Sequence, residues 1–77
     1  MVTDEAKRLR DLLAKNVRSL RQEKGMSQEG LAAAAGLHRT YVGSIERSER
    51  NVSLDSLCAL ANGLSVQVWR LLHSDIC

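Results

Sequence analysis

SQEGLAAAAGLHRTYVGSIE, residues 27–46, has the spacing of two short helices and the tight corner that joins them. Ser27 is placed to accept a hydrogen bond from the orphan amides that open a helix, and Leu31, Ala32 and Ala35 then recur along one face. Gly36 suits the left-handed position that ends one helix and lets the next begin at a steep angle. Ala32 is small where the two helices must cross. Leu37, Val42 and Ile45 give the second helix a buried stripe, so Arg39, Thr40, Gly43, Ser44 and Arg47 are expected to face outward. The pattern is that of a helix-turn-helix, and its outward residues are polar and groove-sized, which points to DNA.

The rest of the chain fits one small all-α domain covering residues 1–77. A sequence of 77 residues buries only about 60% of its unfolded surface, so a second subunit would add stability. Aliphatic residues dominate, Phe and Pro are absent, and one Trp and one Tyr remain, which suits closely packed helices joined by glycine rather than a sheet. The net charge of +2 is small for a nucleic-acid binder, but Arg39, Arg47 and Arg50 fall in one short reach. Glu46 within that reach is expected to be neutralised internally, leaving a basic face.

Cys58 lies in an apolar helical stripe and Cys77 is the last residue, so neither a disulfide nor a zinc site is expected. No metal and no cofactor are expected. The two His and two Cys lie at unrelated spacings without an orienting carboxylate, which argues against an enzyme. No apolar run is long enough to span a membrane and no basic-then-apolar signal opens the chain, so the expected location is the cytoplasm.

In chain order, Thr3 can cap a long first helix whose stripe of Ala6, Leu9, Leu13, Val17 and Leu20 runs to Gly25. Asp4 and Glu5 suit the positive end of its dipole. The helix-turn-helix follows at about residues 28–35 and 38–47, and Ser48 to Val52 forms a loop. Ser53 opens a fourth helix through Leu54, Leu57, Cys58, Leu60 and Ala61 that is expected to end near Gly63. Ser65 is then expected to cap a fifth helix over about residues 66–73.

Arg21, Gly25, Ser27-Gln28, Leu31-Ala32, Gly36, Val42, Ile45-Glu46, Ser53-Leu54 and Leu57 stand at ungapped family spacing, and on them the chain resembles the phage repressor and Cro-like, or Xre-type, helix-turn-helix regulators across Val17 to Leu72. The resemblance implies a compact five-helix, lambda-repressor-like fold. Within the family, HRTYVGSIERSERNVSLDSL is most similar to the controller proteins of restriction–modification systems. It implies autoregulation from the protein's own promoter, activation of a restriction gene, two cooperating dimers and a contact to RNA polymerase. A phage-type repressor or an antitoxin regulator shares most of these motifs, and a protein-interaction adaptor without DNA binding is the reading from a different class. Two departures stand out: Ser48 replaces a common glycine after the second helix of the motif, and Val52 replaces a frequent proline.

The docking mode of such motifs points the first turn of the second helix at base edges, which makes Arg39 and Thr40 the leading base readers. Arg39 can fork onto guanine O6 and N7, while Thr40 brings a hydroxyl and a methyl; a solvated charge or a phosphate contact is the alternative for Arg39. Ser44, one turn on, is a position from which the family reads bases. Gly43 reflects either close approach to DNA or simple tolerance, since glycine within a helix costs about 1 kcal/mol. Resemblance implies that Gln28 contacts a phosphate together with helix amides. Tyr41, Arg47, Arg50 and Asn51 are further backbone candidates, with Tyr41 alternatively packed against the preceding helix and Arg50 alternatively in a base or minor-groove contact. His38 stands at the N-cap and is either a neutral surface side chain or, when charged, a phosphate partner. Arg21 and Glu46 match a pair that joins the first helix to the recognition helix in relatives.

Leu64, Val66, Val68, Trp69 and Leu72 make the C-terminal segment apolar around its circumference, which suggests a homodimer interface anchored by Trp69; burial in the monomer core is the alternative for that ring. A two-fold dimer would place two recognition helices about 34–36 Å apart and so implies a near-palindromic operator in double-stranded DNA.

Overall fold

A computed structural model describes residues 3–74. Helix α1 spans Asp4–Glu23, α2 Gln28–Ala35, α3 Arg39–Glu46 and α4 Leu54–Leu64, followed by a 3-10 turn at Val68–Leu71. Three of the helices start as their sequences dictate. The side chains of Thr3, Ser27 and Ser53 accept from the amides of Ala6, Gly30 and Ser56, satisfying donors that have no partner inside the helix.

All four helices stop by one device. A residue in the left-handed region follows each last turn: Gly25 at φ 68°, Gly36 at 72°, Ser48 at 63° and Ser65 at 57°. In every case that residue's amide and the next one turn back onto the closing carbonyls, as in Gly25 to Gln22 with Met26 to Arg21, and Ser48 to Ile45 with Glu49 to Ser44. Only two of the four are glycines, and this corrects two expectations. Ser65 ends α4 rather than capping a new helix, its amide and that of Val66 bonding Asn62 and Ala61. Gly63 lies within α4 and does not terminate it. A Cβ there would sit 3.0 Å from the Ala35 amide nitrogen and 3.1 Å from its Cβ. The glycine is therefore a close-approach residue that lets α4 lie against the end of α2.

The expected α-helix over residues 66–73 is a single 3-10 turn, so the architecture of the described residues is four helices and a turn rather than five helices. The Asn16 side chain explains part of this. Its amide donates to the carbonyls of Leu71 and His73, each at 2.9 Å, pinning the tail across α1.

The core gathers one stripe from each element. Val17, Leu31, Val42, Ile45, Leu60, Leu64 and Leu71 are the largest fully buried side chains. On α4 the buried set is Leu57, Leu60, Ala61 and Leu64; Leu54 is 78% exposed and Cys58 is a free, exposed cysteine, so both leave the expected stripe. Leu9 is also exposed, because the first turns of α1 extend past the core. Cys77 lies outside the described residues. Among the described residues, no helix is long and apolar enough to cross a membrane, and no group of three His, Cys, Asp or Glu is placed to hold a metal ion.

Candidate nucleic-acid interface

Helix α3 is fixed by what its last turn buries. The Glu46 side chain has no solvent exposure, and its carboxylate accepts from Arg21 Nε at 2.7 Å, Arg21 Nη2 at 3.1 Å and Gln28 Nε2 at 3.0 Å. Arg21 Nη1 also donates to the Met26 carbonyl, so one guanidinium ties α1 to the following corner and to α3. Burial by itself pushes the Glu46 carboxyl up, but the bonds from Arg21 and Gln28 and the charges of Arg21 and Arg18 outweigh it, leaving the group below its ordinary range. The Glu46 hydrogen bond holds Arg21 above its usual value. The expected Arg21–Glu46 pair is thus present, and its environment is wider than the sequence reading. Arg18 donates to the Glu46 carbonyl at 3.1 Å and lies 3.7 Å from the carboxylate. Arg18 and Arg21 share a helix face at i and i+3, a spacing that signalled the extra partner.

The first turn of α3 is built differently. His38 holds the extended N-cap conformation but makes no side-chain cap bond, so the opening amides of α3 are left without the side-chain acceptor that α1, α2 and α4 each have. Arg39 and Thr40 follow, both exposed. Beside them, Gln28, Arg39, Thr40, Gly43 and Arg47 line a polar recess of about 220 Å³ between the start of α2 and α3. The geometry brings two of the three expected readers, Arg39 and Thr40, to one edge with the backbone candidates Gln28 and Arg47, and leaves Ser44 out.

Three placements differ from expectation. Gln28 turns its amide onto Glu46 instead of outward. Gly43 is buried, and a Cβ there would lie 3.2 Å from Arg47 Nη1 and 3.6 Å from Gln28 Oε1, so its lack of a side chain gives room to these two polar groups. Ser44 does not face outward: it is 4% exposed, donates to the Tyr41 carbonyl at 2.8 Å and accepts from Arg50 Nε at 3.0 Å. The hydroxyl lies one turn beyond the exposed Thr40, but the following loop closes over it through Glu49 and Arg50, and with both of its roles filled it does not face a base.

The remaining candidates spread along the same side. Tyr41 is half-buried against the core, and the Arg50 guanidinium sits 5.7 Å from its ring centroid. Arg47 is exposed and pairs with Glu49 at 3.1 Å. Asn51 is exposed, and Val52 packs inward in place of the frequent proline. Ser48, standing where a glycine is common, holds the left-handed conformation and donates to Asp11 of α1. Sequence reading missed Asp11, for which a residue so distant along the chain carries no local signal.

The proposed dimer residues divide. Leu64 is fully buried in this chain's own core, which removes it from any interface, and Val66 and Val68 are half-buried against that core. Trp69 at 59% and Leu72 at 38% remain exposed. The Trp69 ring meets His73 edge-on at 5.4 Å between centroids, and the Arg70 guanidinium carbon lies over it, 5.9 Å from its centroid.

A helix-turn-helix family, HTH_3, matches residues 17–68. The chain is 53% identical over 64 residues to Control protein C.SmaI of Serratia marcescens, covering 83% of this chain and 76% of that protein. It is 48% identical over 65 residues to Control protein C.BamHI of Bacillus amyloliquefaciens, covering 83% and 80%. Among solved structures, the restriction-modification controller protein C.AhdI from Aeromonas hydrophila matches with a TM-score of 0.78 at 44% identity, covering 80% of this chain and 94% of that one. The hypothetical transcription factor NHTF from Neisseria matches with a TM-score of 0.84 at 39% identity, covering 97% and 85%.

Proposed function

The chain belongs to the HTH_3 helix-turn-helix family, and from that premise we propose a restriction–modification controller that works as a homodimer on a near-palindromic operator at its own promoter. It is a DNA-binding transcriptional regulator. The observation that carries the finer reading is the open first turn of α3, where Arg39 and Thr40 project beside a polar recess while the far end of the helix is locked. In the major groove, Arg39 forks onto guanine O6 and N7 and Thr40 meets a neighbouring base edge or thymine methyl. His38, Tyr41, Arg47, Arg50 and Asn51, with the opening amides of α2 at Gln28, supply phosphate contacts that set register. Arg47 must exchange its Glu49 partner for the duplex to do so.

Trp69 and Leu72 form the centre of the dimer contact, flanked by the half-buried Val66 and Val68. Two dimers bind the operator side by side, and one of them touches RNA polymerase. Selection from a random-sequence duplex pool, followed by footprinting upstream of the chain's own gene, tests this reading. A near-palindrome with half-sites about one helical turn apart is expected in both. Failure to enrich any duplex contradicts it. In sedimentation, the wild-type chain is expected as a dimer and Trp69→Ala as a monomer; a wild-type monomer that binds a full operator tightly contradicts the dimeric architecture.

A further inference from the structure

The only side chain of the loop after α3 that returns to the recognition helix through a buried hydroxyl, among the described residues, is Arg50. Ser44 holds that loop twice. Its carbonyl accepts from the Glu49 amide at 3.0 Å, closing the left-handed reversal at Ser48, and its hydroxyl accepts from Arg50 Nε at 3.0 Å. The direction of the hydroxyl is forced. An arginine Nε–H can only donate and the Tyr41 carbonyl can only accept, so the Ser44 proton must go to Tyr41 at 2.8 Å and a lone pair to Arg50. The guanidinium carbon then lies over the Tyr41 ring, 5.7 Å from its centroid, next to the turn that carries Arg39 and Thr40. With Nε engaged and the group held over the ring, the Nη1/Nη2 edge has no hydrogen-bond partner among the described residues.

We propose that Ser44 is a positioning residue for DNA recognition, holding the Arg50 guanidinium against Tyr41 so that its Nη1/Nη2 fork meets a pair of acceptors on the duplex in a preset orientation. The inference rests on the DNA-binding reading above. A free arginine carries large rotamer entropy that must be given up on binding, whereas a planar fork already fixed at Nε loses less for each bond it forms. The end-on fork suits guanine O6 and N7, and also a phosphate. Ser44 therefore affects affinity without touching DNA, which accounts for a buried serine in the middle of a recognition helix.

The test has a DNA-free arm and a DNA arm. In the free protein, the Arg50 Nε–Hε resonance is expected to be sharp and displaced from that of Arg39, and to collapse onto the unrestrained position in Ser44→Ala. An Arg50 signal indistinguishable from that of Arg39 in the wild type overturns the proposal. With the duplex that the wild type selects from a random pool, Ser44→Ala is expected to weaken binding by about three- to tenfold with its helical circular dichroism unchanged, the size of one hydrogen bond. In an Arg50→Ala background the same change is expected to have no further effect. An equal loss from Ser44→Ala in both backgrounds overturns the proposal, as does an Arg50→Ala variant that binds like wild type. Loss confined to the selected duplex assigns the fork to a base and equal loss on random duplex to a phosphate, either of which supports it. If Arg39→Ala abolishes selection while Arg50→Ala is silent, the DNA-binding reading stands and this inference alone fails.

Discussion

The last turn of α3 is bonded from three directions, by Arg18 and Arg21 of α1 and Gln28 of α2, whereas its first turn has an uncapped start and two exposed polar side chains. The contrast within eight residues separates two tasks. Burial and charge pairing at one end set the direction of the helix, and the other end leaves Arg39 and Thr40 exposed, as the proposed reading requires. A recognition element needs both, since a reading edge on a loosely held helix loses the orientation that makes its contacts specific.

If that division is correct, substitutions at the two ends must fail differently. Glu46→Ala strands the largely buried Arg21 guanidinium beside a void, while the half-exposed Arg18 stays solvated, and is expected to cost about 3–5 kcal/mol of stability, measured by urea denaturation, with DNA binding falling as the helix loses its anchor. Arg39→Ala is expected to change stability by no more than about 0.5 kcal/mol. A Glu46→Ala variant as stable as Arg39→Ala would erase the contrast. Acid adds a second reading of the same end. Glu46 titrates below its unfolded value, so its contribution is present above about pH 4.3 and disappears as pH falls through the lower folded value. The stability gap between wild type and Glu46→Gln is therefore expected to narrow on acidification, and a gap independent of pH would show that the carboxylate is not held by its cationic neighbours.

The reversal that follows α3 gives a smaller effect. Ser48 adopts a left-handed conformation at φ 63° and bonds Asp11 through its hydroxyl. Ser48→Ala keeps the strain and loses the bond, while Ser48→Gly loses the bond and the strain, so the glycine variant is expected to be more stable than the alanine variant by about 1–2 kcal/mol. Equal stabilities would place the loop's conformation under some other control. At the open end, His38→Ser supplies the missing N-cap and is expected to stabilise the domain by about 0.5–1 kcal/mol in thermal unfolding. A neutral result would mean that the opening amides are already satisfied.

Much of this was legible in the sequence because it is local. Ser27, Gly36 and the stripe of Leu31, Val42 and Ile45 carry their geometry in their spacing, and α2 and α3 lie where that spacing puts them. The end of α4 was not legible, because Gly63 carries the residue type of a terminator and the packing role of a contact with Ala35, while Ser65 takes the left-handed position without the usual residue type. The tail over residues 68–71 is a turn in part because Asn16, far away in sequence, claims the carbonyls of Leu71 and His73. Arg39 and Thr40 stand exposed in the first turn of α3, where the helical spacing puts them. Ser44 and Gln28 were misplaced because their partners, Arg50 and Glu46, come from the loop and from the far end of another helix.

Guanine N7 lies in the major groove and can be probed chemically, which makes dimethyl sulfate protection of the selected duplex a decisive experiment for the reading edge of α3. Wild-type protein is expected to protect one guanine N7 in each half-site, and Arg39→Ala is expected to lose that protection while remaining folded. Protection that survives in Arg39→Ala, or none at any guanine in a tightly bound duplex, would contradict the assignment of the first turn of α3 as the part that reads sequence.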